Sequence, residues 1–429
     1  MCQPCSRRER SFGSSIAAVR ALILSWEYPP LIEGGLARHV RRLAEGLVET
    51  GVEAHVLTRG TELSPPYEQL AGVHVHRVRE PERPSQLDRF LAWVAQMNAD
   101  LLAAGVELGD EHSFDLVHGH DWLVAVAGDH LARRFRSPLL VTIHATEHGR
   151  HQGWVEHHPQ SHIHGIERWM ANRADGVVVC SRYMRRHVAE VFGIEQGPIE
   201  VIPNGVEPFE HVDPDALVAL RRRYAADGER LVLLVGRLVY EKGFQLALAA
   251  LPRLIERLEG VRFVVAGSGT HEAELRAQAA RLGLERRGQF LCWVHDDLLR
   301  GLYRVADLAI VPSIYEPFGL VALEAMAAGC PCLAADTGGL REVVPQERAG
   351  LRFRARDPDA LAEAAIRLLT DELLRGRVVA AAAAHVLRFD WSDVARRTAL
   401  VYEALSLDPP NPAAPRGRIA VANHDSRLP

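Results

Sequence analysis

The sequence predicts an α/β protein of two Rossmann-like, doubly wound domains that face each other across a cleft. Three observations carry this expectation. Short apolar runs alternate with longer amphipathic ones along most of the chain, which is the pattern of βαβ units and a parallel sheet. The alternation pauses between Glu207 and Gly228 and then restarts. At 429 residues the chain accommodates two domains of roughly 100 to 200 residues each.

The first series starts at Val19, where "VRALILS" reads as a buried strand. Leu36, Val40, Leu43 and Leu47 then recur at helical spacing as far as Gly51, a glycine of the kind that ends helices. "VEAHVLT", "VHVHRV", "DLVHGH", "LLVTIH", "GVVVC" and "IEVIP" follow as strands and complete an N-terminal domain over residues 19–205. Residues 206–228 contain no strand-like run and are assigned as the interdomain linker. "RLVLLVG", "VRFVVAG", "GQFLC", "DLAIVPS" and "PCLAA" build the C-terminal domain over residues 229–388. A last helical pattern, "WSDVARRTALVYEAL", lies in residues 389–407 and is expected to cross back to the first domain. The extension 1–18 and the Pro-rich tail 408–429 are expected to be disordered.

Composition narrows the possible functions. A hydrophobic fraction of 48% with 24% charged residues is ordinary for a soluble globular protein, and no apolar run approaches the ~20 residues of a membrane span. A net charge of −5 argues against a general nucleic-acid binder, whose affinity comes from clustered Lys and Arg on phosphates. The six cysteines form no disulfide framework; Cys180, Cys292, Cys330 and Cys332 sit in or beside apolar segments, as expected of reduced thiols in a cytoplasmic protein. Cys2 and Cys5 make a lone C-x-x-C without the second pair that a tetrahedral zinc site needs. The first 18 residues lack the apolar core of a signal peptide.

Three loops carry candidate chemistry. In "WEYPPLIEGGLARHV", Gly34 and Gly35 let the backbone approach a ligand where the first helix opens, and the free N–H groups there suit an anion. The bland alternative is a tight turn with no ligand. In "LLVGRLVYEKGF", Arg237 and Lys242 follow the first strand of the second domain. Two cations at the carboxyl end of a strand in a doubly wound sheet suit a pyrophosphate, although a solvated loop would also carry such charges. "EPFGLVALEAMAAG" places Glu316 before a turn and Glu324 inside a helix. "GSGTHE" lacks the third glycine of the dinucleotide fingerprint and no Walker A sequence occurs, so NAD and ATP lose support.

Taken in order, "WEYPPLIEGGLARHV", "HGHDW", "TIHATEHGR", "IPNGV", "GRLVYEKG" and "EPFGLVALEAMAAG" resemble the retaining GT-B glycosyltransferases of the glycogen synthase type, glycosyltransferase family 4. The resemblance spans residues 19–405. "SWEYPP", "HDWLVA" and "TIHATEHGRHQGW" look most like bacterial α-(1→4)-glucosyltransferases of glycogen and methylglucose lipopolysaccharide synthesis. It implies an acceptor domain followed by a donor domain, and transfer of a hexose, expected to be glucose, from ADP-glucose or UDP-glucose to an oligosaccharide or glucan acceptor. It implies that Glu316 contacts the donor sugar and Glu324 the ribose hydroxyls, with the N–H groups of Phe318, Gly319 and Leu320 between them. By the same carry-over His144 lies beside the anomeric carbon, Asp121 on the sugar hydroxyls, Gly35 at the donor phosphate, and Asn204 in the donor site. One departure keeps the choice between ADP and UDP open. Glycogen synthases that use ADP-glucose often carry K-x-G-G in the first loop, where this chain has Ile32, Glu33, Gly34 and Gly35.

The resemblance further implies a front-face displacement without a protein nucleophile, no resident cofactor and no site metal. Seven histidines fall between His144 and His164, and loop histidines near an acceptor groove account for them without an ion. A sugar-nucleotide epimerase, a transferase acting on a lipid or small molecule, and a non-catalytic carbohydrate binder share the layout. Arg237 and Lys242 speak against the binder. The "HDW" and "EPFGL" motifs speak against the epimerase.

Overall fold

The computed structural model describes residues 19–84, 87–194, 199–207, 209 and 213–407. The extension 1–18, the tail 408–429 and the Cys2–Cys5 pair lie outside the described residues.

The first sheet contains β1 (Arg20–Ser25), β2 (Glu53–Gly60), β3 (Tyr67–Leu70), β4 (Val73–Arg79), β5 (Leu116–His120), β6 (Leu139–Ile143), β7 (Gly176–Val179) and β8 (Ile199–Val201). They lie in the order β3-β4-β2-β1-β5-β6-β7-β8. Every pairing is parallel except that of β3 with β4. β5, β6 and β7 are buried throughout, as strands covered on both faces must be, and their near-continuous apolar runs reflect this. The short edge strand β3 was not anticipated. "YEQL" has no apolar periodicity, and its pairing depends on a turn at Ala71 and Gly72, which take positive φ angles of 48° and 82°.

The second sheet contains β9 (Arg230–Val235), β10 (Val261–Ala266), β11 (Gly288–Leu291), β12 (Leu308–Val311), β13 (Cys332–Ala335) and β14 (Leu351–Phe353), in the order β11-β10-β9-β12-β13-β14 and all parallel. Each sheet reverses its winding once, between β1 and β5 and between β9 and β12. Those switch points open a crevice at the carboxyl ends of the strands. The loops after β1, β5, β6, β9 and β12 carry nearly every candidate residue.

The stretch 206–228 contains the helix Pro214–Tyr224, started by Asp213 and by proline in its first turn. Its Arg221 bonds to Asp307 at 2.7 Å, and Tyr224 joins the apolar cluster of Tyr303, so this helix packs on the second sheet. The helix Trp391–Leu407 lies against Gly35–Glu49 so closely that a Cβ on Gly46 would stand 2.7 Å from Cβ of Ala395. Its Tyr402 hydroxyl lies 2.8 Å from Nδ1 of His118 in β5.

The two halves touch on both sides of the crevice. The Thr146 N–H donates to the Tyr315 hydroxyl at 3.2 Å, and the Ser181 hydroxyl to the Pro317 carbonyl at 2.7 Å. On the other side Glu207 accepts from Arg42 at 2.5 Å and from Arg300 at 2.7 Å.

Candidate active site

The loop after β1 is shaped by a carboxylate that sequence reasoning did not single out. Glu27 is buried, and its Oε2 accepts from the N–H groups of Glu33 at 2.5 Å and Gly34 at 3.0 Å. The Gly34 donor is therefore engaged within the loop, and this glycine supplies backbone shape there. Gly35 opens the first helix, and among the described residues its N–H and that of Leu36 have no acceptor. A Cβ on Gly35 would stand 3.2 Å from Cδ1 of Leu320 across the crevice, so the missing side chain eases the close approach of the two facing helix mouths. Arg59, fully buried, braces the loop from beneath. It donates to the Trp26 carbonyl at 2.7 Å, pairs with Glu33 at 2.6 Å and Glu80 at 2.5 Å, and lies over the Trp26 ring.

β5 and β6 deliver Asp121 and His144. Asp121 holds φ at +61°, a conformation that costs a non-glycine residue of order 1–3 kcal/mol and clusters at functional positions. Its Oδ1 accepts from the His144 N–H at 2.8 Å. Burial pushes its pKa up to about 6, opposed by the nearby Arg150 guanidinium. Burial, helped by Arg150, pushes His144 down to about 4, so this imidazole is neutral at pH 7. Its Nε2 lies 3.0 Å from Nδ1 of His120, and the His39 ring meets it edge-on at 4.6 Å. Nitrogens of His39, His120 and His144 lie within 4.8 Å of one another, close enough to share a proton or an ion. Asn204 is buried with its side chain beside His39.

The second domain contributes the cations. Arg237 follows Gly236 at the end of β9, and its side chain makes no hydrogen bond or ion pair among the described residues. It is exposed to solvent yet surrounded by the protein walls of the crevice. That enclosure and the neighbouring Arg150 lower its pKa, and a guanidinium stays charged at pH 7 regardless. Lys242 closes a short turn before Gly243, where φ is +71° and a Cβ would come within 2.0 Å of the Pro312 carbonyl oxygen. Only glycine fits there. The turn aims Nζ of Lys242 at Oε2 of Glu316, 2.8 Å away, and the Ser313 hydroxyl donates to the same oxygen at 3.0 Å.

Beyond Glu316 the chain turns at Gly319, φ +121°, into the helix Leu320–Ala327. A Cβ on Gly319 would stand 2.7 Å from Leu340. The N–H groups of Phe318, Gly319 and Leu320 have no acceptor among the described residues, which leaves the helix mouth ready for an oxygen ligand. Glu324 sits one turn further on. Its Oε2 accepts from the Tyr303 hydroxyl at 2.9 Å, and Arg38 of the opposite domain lies 3.7 Å from Oε1. Burial raises its pKa, with Arg38 the largest opposing influence.

The crevice thus brings together Asp121, His144, Arg237, Lys242, Glu316 and the mouths of two helices. Sequence reasoning overlooked Glu27, Arg38, His39, Arg59 and Arg150. Arg150 was visible only as the last letter of "TIHATEHGR", and nothing in its spacing says that the helix Glu147–Arg150 turns it toward Asp121.

Comparison with known proteins fits this geometry. Residues 33–209 match Glycosyltransferase Family 4, and residues 219–385 match the group 1 glycosyl transferases. An uncharacterised glycosyltransferase of Methanocaldococcus jannaschii is 35% identical, covering 90% of this chain and 98% of its own. A glycogen synthase of Mycobacterium tuberculosis is 38% identical, covering 95% of this chain and 99% of its own. Among solved structures, a sucrose-phosphate synthase from Thermosynechococcus elongatus superimposes with a TM-score of 0.78 at 25% identity, over 90% of this chain and 99% of the other. The fold is GT-B. The chain belongs to glycosyltransferase family 4. Among the described residues no helix is long and apolar enough to cross a membrane.

Proposed function

We propose that the protein is a retaining glycosyltransferase that moves a hexose, with glucose expected, from ADP-glucose or UDP-glucose to an α-glucan or a related glycoconjugate. The observation that carries this reading is the Lys242–Glu316 pair beside the unpartnered N–H groups of Phe318, Gly319 and Leu320, with Arg237 free of any protein carboxylate. Such a site offers positive charge to a pyrophosphate and acceptors to a sugar. The name of the mycobacterial relative, a glycogen synthase, favours a glucan acceptor.

In the proposed course the bond between the anomeric carbon and the phosphate oxygen breaks first. Arg237, Lys242 and the Gly35 N–H take up the charge that develops on the leaving phosphate. The acceptor hydroxyl attacks from the same face and gives its proton to a departing phosphate oxygen, so configuration is kept. Asp121 and Glu316 hold sugar hydroxyls. His144, being neutral, stands beside an anomeric carbon turning cationic without repelling it. Glu324 receives the ribose, and the nucleotide sugar is a substrate; no cofactor enters.

Incubation of the protein with ADP-glucose or UDP-glucose and maltooligosaccharides, followed by proton NMR of the first product, tests the proposal. A new α-linked residue is expected. Absence of a glycosidic product with either donor would refute the assigned substrates, and a β-linked product would refute retention.

Asp121 provides a pH signature. Its folded pKa of about 6 exceeds the value of about 3.9 in an unfolded chain, so this group makes the fold less stable as pH rises between those values. Function runs the other way, because only the carboxylate accepts from both His144 N–H and a sugar hydroxyl. Log kcat/KM is expected to fall below an apparent pKa near 6, whereas His144 at about 4 titrates too low to cause that limb. Asp121→Asn should be slower and should lack the limb. A limb unchanged in that variant would assign it to another group.

A further inference from the structure

A second group of histidines lies away from the crevice. Glu53 and His55 are two residues apart in β2, and His74 and His76 two apart in β4, so each pair points to one face of its strand. Parallel register sets His55 opposite His74. One ligand atom from each of Glu53, His55 and His74 falls within 4.8 Å of the others.

We propose that Glu53, His55 and His74 form a site for a divalent transition metal of the zinc class, separate from the sugar-transfer crevice. The surrounding contacts already orient the ligands as such a site requires. The Tyr67 hydroxyl lies 2.9 Å from Nδ1 of His74, which leaves Nε2 for an ion, and His76 Nε2 lies 3.2 Å from Nδ1 of His55, which turns Nε2 of His55 toward Glu53 at 3.1 Å. Partners on the remote ring nitrogen are the usual companions of a ligating histidine. Glu53 also pairs with Arg20 through Oε1 at 2.6 Å, so its second oxygen is the one left for the ion. Two imidazoles and one carboxylate leave a fourth position open, and His112, whose ring stands 4.8 Å from that of His55, borders it.

The placement separates the site from catalysis. Glu53 begins β2, and Arg59, which braces the glycine loop, lies near its end. Six residues of strand span on the order of 20 Å at about 3.3 Å each. A metal here would tie β2 to the edge pair β3 and β4 at the end of the sheet remote from the crevice.

The test is equilibrium dialysis of the untagged full chain against micromolar zinc chloride, with cobalt absorption in the visible as a second readout. One bound zinc is expected, along with a rise in melting temperature. His74→Gln and Glu53→Gln, both at partly exposed positions, should each weaken zinc affinity by about 100-fold or more while leaving the metal-free melting temperature near the parent value. His144→Asn and the double variant Cys2→Ser, Cys5→Ser should bind zinc as the parent does. No bound zinc in the parent, undiminished affinity in His74→Gln, loss of binding in His144→Asn, or displacement by equimolar magnesium or calcium would each overturn the proposal.

Discussion

Arg237→Ala is expected to lower kcat by about 100-fold or more and to leave the melting temperature unchanged. The two halves of that expectation have separate causes. The Arg237 side chain makes no hydrogen bond or ion pair among the described residues, so its removal strands nothing in the resting protein. A charge contact made to a leaving phosphate as its bond breaks is worth ~3 kcal/mol, which is about 100-fold in rate. Lys242→Ala should show a comparable fall in kcat but a different stability. Nζ of Lys242 is 2.8 Å from a Glu316 carboxylate with a side-chain exposure of 9%, and only the Ser313 hydroxyl would remain on that oxygen. Leaving a buried carboxylate short of its cation costs about 1–3 kcal/mol, which thermal melting would resolve. Near-parent turnover in either variant would remove that residue from the phosphate grip. An equal loss of stability in both would mean that Arg237 has a structural partner.

How much of this was legible in the sequence depended on whether the signal was local. The strands β1, β5, β6, β9 and β12 announce themselves as apolar runs, because a parallel sheet covered on both faces needs them. The carboxyl end of β9 then locates Arg237 without any knowledge of tertiary contacts, whereas Asp121, His144 and the role of Glu316 came only from the resemblance of their motifs. Gly35 and Gly319 were readable as loop glycines and Gly243 was not singled out; in none of the three was the crowding around the missing side chain legible. The crowding atom lies far along the chain, in Leu320 for Gly35, Leu340 for Gly319 and Pro312 for Gly243. The supporting residues were illegible for the same cause. Glu27 bonds within its own loop in a way that no spacing rule encodes, and Arg59 appears as a polar letter inside a strand although its side chain is almost wholly buried against Trp26. The helix Pro214–Tyr224 escaped because its apolar residues run together in "ALVAL" before three arginines instead of recurring at helical spacing, and the stretch was searched for strand-like runs.

Glu316→Gln and Glu324→Ala should fail in different ways although they flank one helix mouth. Glu316 is proposed to hold the sugar, so Glu316→Gln should mainly lower kcat while ADP or UDP, which lack the sugar, bind nearly as before. The amide keeps the shape but gives up the ion pair with Lys242, leaving that cation free for the diphosphate, so nucleotide affinity has no reason to fall. Glu324 is proposed to hold the ribose, so Glu324→Ala should weaken the free nucleotide and the full donor alike. A loss shared by ground and transition states appears first in KM. The structure adds a second consequence for Glu324. Arg38 reaches across the crevice to lie 3.7 Å from its Oε1, and Tyr303 holds its Oε2, so a ribose must share or displace Arg38. Arg38→Ala should therefore leave nucleotide affinity the same or raise it, the opposite of Glu324→Ala. Calorimetry with ADP and UDP on the three variants, beside steady-state kinetics, measures all of these quantities. Equal losses of nucleotide affinity in Glu316→Gln and Glu324→Ala would sink the division of labour, and a large loss in Arg38→Ala would make that arginine a ligand of the nucleotide instead of its competitor.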